Sequence, residues 1–264
     1  MVDGVRWRSR ETPGRGDPVV YVHGLLASSA TWQDVLGPAS AGRPAIAVDL
    51  PGFGCSDRPW PFDYTVDGAA GALGGFLDAR GISRAALVGN SLGGAVAMRV
   101  AAEHPNRVSD LVLAAPATAE ARIAWPVGLL RVRGIGEAAL AAARRPLVAY
   151  GLRHWLFADA ACVTAHAIDD AWLPLRVPGT RRAALAAIRT CRSRFRGLED
   201  RIHVRTLIVW GAEDRLLPVR GGTRLAARIA GSRLVVLPDA GHLPQREQPE
   251  AFGRAVAGFL KREP

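Results

Sequence analysis

The chain has 264 residues, of which 49% are hydrophobic and 22% are charged, and its formal net charge is +10. This composition is typical of a folded globular protein and excludes a disordered chain, and the length allows one large domain or a core with a sizeable insertion. Lys261 is the only lysine, so the positive charge comes almost entirely from arginine. The arginines are scattered without a block of five or six, so we expect no nucleic-acid partner.

The cysteines and the apolar runs bear on the compartment. Cys55, Cys162 and Cys191 are widely spaced and odd in number, which argues against a disulfide framework and against a metal cluster. Residues 1–10 carry charges where a signal peptide needs an apolar stretch, and no apolar run approaches the ~20 residues of a membrane span. We therefore expect a cytoplasmic protein without a membrane span, and the sequence specifies no oligomeric state.

Short apolar runs bounded by Gly, Pro or Asp recur along the chain and have the length of strands. They lack the alternation of half-exposed strands, so they predict strands buried on both faces, as in a parallel sheet. Stretches with helical spacing of apolar residues lie between several of them, including 65–80, 92–104 and 251–261. The pattern predicts an α/β fold with a doubly wound, mostly parallel sheet. The predicted strands are Val19–Val22, Ala45–Val48, Ala85–Val88, Leu111–Ala114, Leu207–Trp210 and Leu234–Leu237.

The alternation of strands and helices breaks in the middle of the chain. Residues 117–197 have little strand character and are rich in Ala, Leu and Arg, with prolines that divide them into short segments. We predict a helical insertion there, flanked by the two parts of the core, residues 1–116 and 198–264. Its aromatic residues either wall a pocket or only attach the insertion to the core; they are Trp125, Trp155, Trp172 and Phe195.

One motif carries a candidate nucleophile. Gly89-Asn90-Ser91-Leu92-Gly93 matches the pattern G-x-S-x-G, which is weak evidence alone because a chain of this composition matches it by chance about 0.1 times. Its context is more specific, since it follows a predicted strand and opens a predicted helix. The glycines permit a strained turn, and the helix points its free N–H groups toward charge that develops near Ser91. We predict that Ser91 is a nucleophile.

A serine hydroxyl needs an adjacent base, and a histidine base needs a group that orients it. Among six histidines, His242 follows the last predicted strand, at the carboxyl edge of the sheet where Ser91 also lies. The orienting carboxylate should lie at the same edge. Asp214 follows the strand Leu207–Trp210, and Glu213 beside it is its nearest competitor. We predict His242 as the base and Asp214 as its partner.

Negative charge on a substrate oxygen requires preorganised donors. The residue after the nucleophile supplies one backbone N–H, here that of Leu92, and the loop after an earlier strand supplies another. Leu25 lies in such a loop, after Val19–Val22, so we predict Leu25 and Leu92 as the donors of an oxyanion hole. His23 precedes Gly24 and is expected to shape this loop rather than to act as the base.

Together these residues resemble the α/β-hydrolase superfamily along nearly the whole chain. The order Ser, acid, His matches that superfamily and differs from the orders of chymotrypsin and subtilisin. The resemblance implies a hydrolase of a small molecule with neither a metal nor an organic cofactor, and it implies that the insertion is the cap commonly placed after the sixth strand. The segments that carry it are His23-Gly24, Asp49–Asp57, Gly89–Gly94, Trp210–Asp214 and Gly241-His242.

The branch of the superfamily is less sharply defined. Haloalkane dehalogenases and epoxide hydrolases carry an aspartate where this chain has Ser91. Meta-cleavage C–C hydrolases share a Gly-Asn-Ser-x-Gly-Gly elbow, as in 89–94, but the residues after His242 lack the tryptophan often found there. We predict ester hydrolysis through an acyl-enzyme, on a small to medium, largely apolar substrate. C–C hydrolysis and cofactor-free haloperoxidase chemistry are the alternatives, and a ligand-binding pseudoenzyme is the non-enzymatic one.

Overall fold

In a computed structural model the protein forms one seven-stranded sheet, and the structure describes residues 1–118, 124–190 and 197–261. The spatial order of the strands is β1-β3-β2-β4-β5-β6-β7. Strands β2 to β7 are parallel, and β1 pairs with β3 in the antiparallel sense. The strands are β1 Ser9–Thr12, β2 Val19–Val22, β3 Ala45–Val48, β4 Ala85–Asn90, β5 Val108–Ala114, β6 Thr206–Gly211 and β7 Arg233–Leu237.

Helices follow most of the strands, as a doubly wound sheet requires. They are α1 Val66–Ala79, α2 Leu92–Glu103, α3 Trp125–Gly128, α4 Ile135–Ala142, α5 Arg145–Gly151, α6 Ala165–Trp172, α7 Thr180–Thr190, α8 Arg220–Arg228, α9 Pro244–Glu247 and α10 Pro249–Leu260. The mostly parallel α/β sheet predicted from the sequence is confirmed.

The central strands are apolar at every position because both faces of the sheet are covered. Along β2, Val20 and Val22 pack into one buried cluster together with residues of α1, α2 and α8. Val19 and Tyr21 point the other way and pack with α10 and Trp32. All four β2 side chains are fully buried, which explains why the sequence shows continuous apolar runs instead of alternation.

Both edges of the sheet differ from what the sequence predicts. Strand β1 has no apolar run, because all four of its residues are polar and lie partly or fully exposed on an antiparallel edge. At the other edge, the prediction that Leu234–Leu237 is buried on both faces is wrong. β7 pairs with β6 alone, and Val236 is 43% exposed.

In the described part of the chain, five helices, α3 to α7, lie between β5 and β6, where the sequence predicts an insertion. We call the segment 117–197 the cap; its boundaries stay a prediction. A π-helical turn, Leu152–Leu156, continues directly from α5, and an ion pair between Glu137 and Arg189 joins α4 to α7. Phe195 and the side chain of Trp125 lie outside the described residues. Within the described ranges, no helix has the length and apolar character needed to cross a membrane.

Candidate active site

Ser91 lies on a strained turn between β4 and α2. Its φ of 52° is in the left-handed region, which a residue with a Cβ rarely adopts. The turn is held by hydrogen bonds from Ser91 N–H to the Ala114 carbonyl (3.0 Å) and from Ala117 N–H to the Ser91 carbonyl (2.9 Å). The end of β5 and the residues after it therefore fix the backbone of Ser91, which directly precedes α2. Eleven of the twelve residues of α2 are buried.

The two glycines of the elbow are required by close backbone contacts. A Cβ on Gly93 would lie 2.2 Å from the Val22 carbonyl oxygen, and a Cβ on Gly89 would lie 2.4 Å from the Gly93 carbonyl oxygen. Backbone atoms cannot yield by the ångström that such contacts need. Glycine at both positions thus lets α2 pack directly against the end of β2 and presents Ser91 at the carboxyl edge of the sheet.

The loop after β2 lies against the elbow. A Cβ on Gly24 would be 3.2 Å from the Ser91 Cβ, so the next residue, Leu25, follows at close range. Leu26 has a φ of 59°, a second left-handed residue without the freedom of glycine. Among the described residues no acceptor takes a hydrogen bond from the N–H of Leu25 or from that of Leu92. The role of Leu25 and Leu92 as oxyanion donors stays a prediction.

His242 and Asp214 form a buried hydrogen-bonded pair. His242 Nδ1 lies 2.8 Å from Asp214 Oδ2, and both residues are at least 95% buried. Asp214 Oδ1 accepts the N–H groups of Leu216 (2.9 Å) and Leu217 (2.8 Å), which fixes the carboxylate. A carboxylate only accepts, so His242 Nδ1 carries a proton, and in the neutral imidazole Nε2 then keeps its lone pair. The competing carboxylate, Glu213, is exposed.

The remaining contact of a serine triad is open. His242 Nε2 is buried and has no hydrogen-bond partner among the described residues, so its bond to the Ser91 hydroxyl is not formed. Such bonds are often long until a substrate binds. The structure joins the base to the acid and holds Ser91 at the same edge. The catalytic roles of these three residues stay predictions.

The other histidines occupy positions that do not suit a base at this site. His23 is fully buried, and its Nε2 accepts the Leu50 N–H (3.0 Å), so its Nδ1 donates to the Gly24 carbonyl (2.7 Å). Burial lowers the pKa of His23, although the nearby Asp49 carboxylate opposes that fall. Both ring nitrogens are used in holding the loop. The remaining four are exposed: His104, His154, His166 and His203.

Two further polar residues hold the site together, and the sequence analysis assigns neither of them this role. Asn90 is buried and its side-chain amide donates to the carbonyls of Ala114 (3.0 Å) and His242 (3.3 Å). It thereby links the elbow to the histidine loop. Glu247 accepts the N–H of Gly241, next to His242, at 2.8 Å. A buried amide after a strand suggests such a role for Asn90, whereas Glu247 resembles any helical surface glutamate.

Comparison with known proteins places this geometry in a family. Residues 17–249 match the model of the alpha/beta hydrolase fold family. The chain is 32% identical over 259 residues to the 2-hydroxy-6-oxo-2,4-heptadienoate hydrolase of Pseudomonas putida, covering 95% of this chain and 91% of that protein. It is also 32% identical, over 260 residues, to the pimeloyl-[acyl-carrier protein] methyl ester esterase of Neisseria meningitidis, covering 96% of this chain and 79% of that protein.

A solved structure agrees over the whole length. The meta-cleavage product hydrolase from Pseudomonas fluorescens matches with a TM-score of 0.84 and 26% identity, covering 98% of this chain and 95% of that one. The family match spans the elbow, the acid and the histidine, and the relatives are named as hydrolases and an esterase. The protein is a hydrolase that belongs to the α/β-hydrolase fold family.

Proposed function

We propose that the protein hydrolyses an ester of a small to medium, largely apolar molecule through an acyl-enzyme on Ser91. The observation that carries this proposal is the buried His242–Asp214 pair, whose free Nε2 lies at the same sheet edge as the strained Ser91. A buried carboxylate fixed by two backbone N–H groups is an orienting group for a histidine base. Packing alone does not require a buried carboxylate to be held against a histidine in this way.

The chemistry follows from the positions of these groups. His242 Nε2 takes the hydroxyl proton as Ser91 Oγ attacks the ester carbonyl, and the oxyanion accepts the N–H groups of Leu25 and Leu92. The imidazolium then donates that proton to the leaving alcohol, which leaves an acyl-Ser91. A water molecule, deprotonated by His242, attacks the acyl group, and the imidazolium returns that proton to Ser91 Oγ as the carboxylic acid leaves. Asp214 stabilises the imidazolium in both halves of the cycle.

Hydrolysis of a C–C bond is a second candidate, and two of the three similar proteins support it. The Pseudomonas putida relative is named for 2-hydroxy-6-oxo-2,4-heptadienoate, the Pseudomonas fluorescens structure for a meta-cleavage product, and the Neisseria meningitidis relative for a methyl ester. The elbow 89–94 has the Gly-Asn-Ser-x-Gly-Gly sequence of the C–C hydrolases. Leu243, Pro244 and Gln245 after His242 supply no tryptophan, which favours the ester. The same triad can serve either reaction.

We infer that the cap selects the substrate. Trp155 is half-buried in the π-helical turn whose last residue, Leu156, accepts the backbone N–H of His242 at 2.8 Å. Trp155 is therefore the sequence neighbour of a residue that contacts the candidate base. Trp172, by contrast, packs against the large apolar cluster that contains residues of both the core and the cap. Replacing Trp155 with alanine should therefore change the preference among acyl chain lengths more than replacing Trp172.

The test is a panel of p-nitrophenyl esters with acyl chains of two to twelve carbons, run beside a 2-hydroxy-6-oxo-dienoate whose absorbance is lost on cleavage. Wild-type protein should turn over the shorter esters faster than the dienoate, and a serine-directed phosphonate should abolish both activities. Ser91→Ala, checked for folding by circular dichroism, is the matched inactive control. If the dienoate is cleaved faster than the esters, C–C hydrolysis is the better assignment. A folded Ser91→Ala protein with wild-type turnover would reject both functions.

A further inference from the structure

The candidate base is attached to the cap as well as to the core. The backbone N–H of His242 donates to the carbonyl of Leu156, the last residue of the π-helical turn, at 2.8 Å. π-Helical turns occur frequently at functional sites. A Cβ on Gly241 would lie 2.6 Å from that same carbonyl oxygen and 2.8 Å from the Ala158 nitrogen. The histidine loop and the cap backbone therefore meet so closely that only glycine fits at 241.

A carboxylate bridges this contact. One oxygen of Glu247 accepts the N–H of Gly241 at 2.8 Å, and the other accepts the N–H of Ala158, in the cap, at 2.6 Å. Burial raises the pKa of Glu247, and the two N–H donors act against that rise. A group that only attached the cap could be apolar and would avoid this desolvation cost. A bridge between two N–H groups, however, requires a side chain with two acceptor oxygens.

The neighbouring residue makes a second polar link to the cap. Arg246 donates to Asp170 of α6 at 3.2 Å, and both side chains are largely buried. Leu243, next to His242, packs against an apolar cluster of α5 and α6. All of these links come from the four-residue helix α9 and the residue before it. The helix that follows the base thus holds the cap at several points.

We propose that Glu247 is a positioning residue for the catalytic base, and that Arg246 and Glu247 form a clamp that holds the His242 loop at a fixed position relative to the cap. The clamp rests on the proposed role of His242. Its consequence is that a shift of the cap moves the base, so that substrate contacts in the cap and proton transfer at Nε2 depend on one another. Asp214 fixes the ring of His242 from the core side, and the clamp fixes its backbone from the cap side.

The experiment compares Glu247→Gln with Glu250→Gln, which alters an exposed glutamate three residues further on. An amide has one acceptor oxygen, so Glu247→Gln loses one of the two N–H contacts. The measurements are kcat and KM on a p-nitrophenyl ester, the rate of phosphonate labelling of Ser91, and the NMR signal of the His242 Nδ1 proton. A displacement of catalytic groups by an ångström costs up to about 100-fold in rate.

Glu247→Gln should lower kcat and the labelling rate about tenfold with KM almost unchanged, and should shift the His242 proton signal. Glu250→Gln should behave as wild type. Asp170→Asn removes the charge that pairs with Arg246 and so weakens the clamp from the cap side. It should give a smaller change in the same direction, and it serves as the test if Glu247→Gln does not fold. Wild-type rates and an unchanged proton signal in these variants would overturn the proposal.

The clamp and the proposed function fail separately. The clamp alone would be rejected if Ser91→Ala loses phosphonate labelling while Glu247→Gln keeps wild-type rates and the wild-type His242 proton signal. A Ser91→Ala protein that retains turnover would reject the triad. The NMR signal of His242 reports on the clamp without reference to any substrate.

Discussion

Asp214→Asn tests the orienting role of the acid most directly. Asp214 Oδ1 accepts the N–H groups of Leu216 and Leu217, and its Oδ2 receives His242 Nδ1–H at 2.8 Å. In the asparagine variant, the amide oxygen keeps the two backbone donors and the NH₂ group faces His242. The histidine must then accept at Nδ1 and carry its proton on Nε2, which is the tautomer that cannot take the proton of Ser91.

The expected loss is large because the base is in the wrong form and not merely displaced. In trypsin-like enzymes, where this is an established case, the same change lowers kcat about 10⁴-fold. That factor corresponds to about 5 kcal/mol of transition-state stabilisation. We expect a loss of this order in kcat on a p-nitrophenyl ester, with the unfolding temperature changed little because the side-chain volume is kept.

Glu213→Gln is the matched control for this prediction. Its side chain is exposed and adjoins Asp214 in sequence, so the substitution removes one negative charge at the same place on the chain. We expect its kcat to stay within about twofold of wild type, as for surface changes away from the site. The reasoning is refuted if Asp214→Asn keeps more than a tenth of the wild-type kcat, or if Glu213→Gln is the more damaging variant.

Two further predictions concern folding. Gly93→Ala should lose several kcal/mol of unfolding free energy, because its Cβ would meet the Val22 carbonyl at 2.2 Å. Gly74→Ala in α1, where a Cβ has open space, should gain about 0.5–1 kcal/mol, and equal effects in urea unfolding would contradict the elbow argument. Burial lowers the pKa of His23, so below about pH 6.5 the unfolded chain binds a proton that the folded chain excludes. The free energy of unfolding of wild type should therefore exceed that of His23→Gln by less and less as the pH falls from 6.5 to 5, by up to about 1.4 kcal/mol per pH unit. His154→Gln, which alters an exposed histidine, is the control. A difference that stays constant with pH would contradict the prediction.

The sequence alone determined the class of the fold. Parallel strands covered on both faces must be apolar at every position, so runs such as Val19–Val22 and Ala85–Val88 predict them without tertiary information. The elbow was also visible, because a strand, a G-x-S-x-G turn and a helix are consecutive in the chain. Edge strands lack this signal, since one open side lets polar residues enter, as in β1. Strand β7 is the opposite case, because its run Leu234–Leu237 is apolar although the edge position leaves most of the strand partly exposed.

Only the tertiary structure decided which groups meet. Asp214 and Glu213 are adjacent and chemically alike, and the N–H groups of Leu216 and Leu217 select Asp214 because they hold its carboxylate against His242. Glu247 bridges Gly241 and Ala158, whose positions lie 83 apart in the sequence and touch only when the cap is docked. Contacts between distant segments depend on the packing of whole elements, and no local pattern of residues encodes that packing. For this reason the sequence predicts Ser91, His242 and Asp214, each of which follows a strand, whereas the contacts that hold His242 in place are seen only in the folded chain.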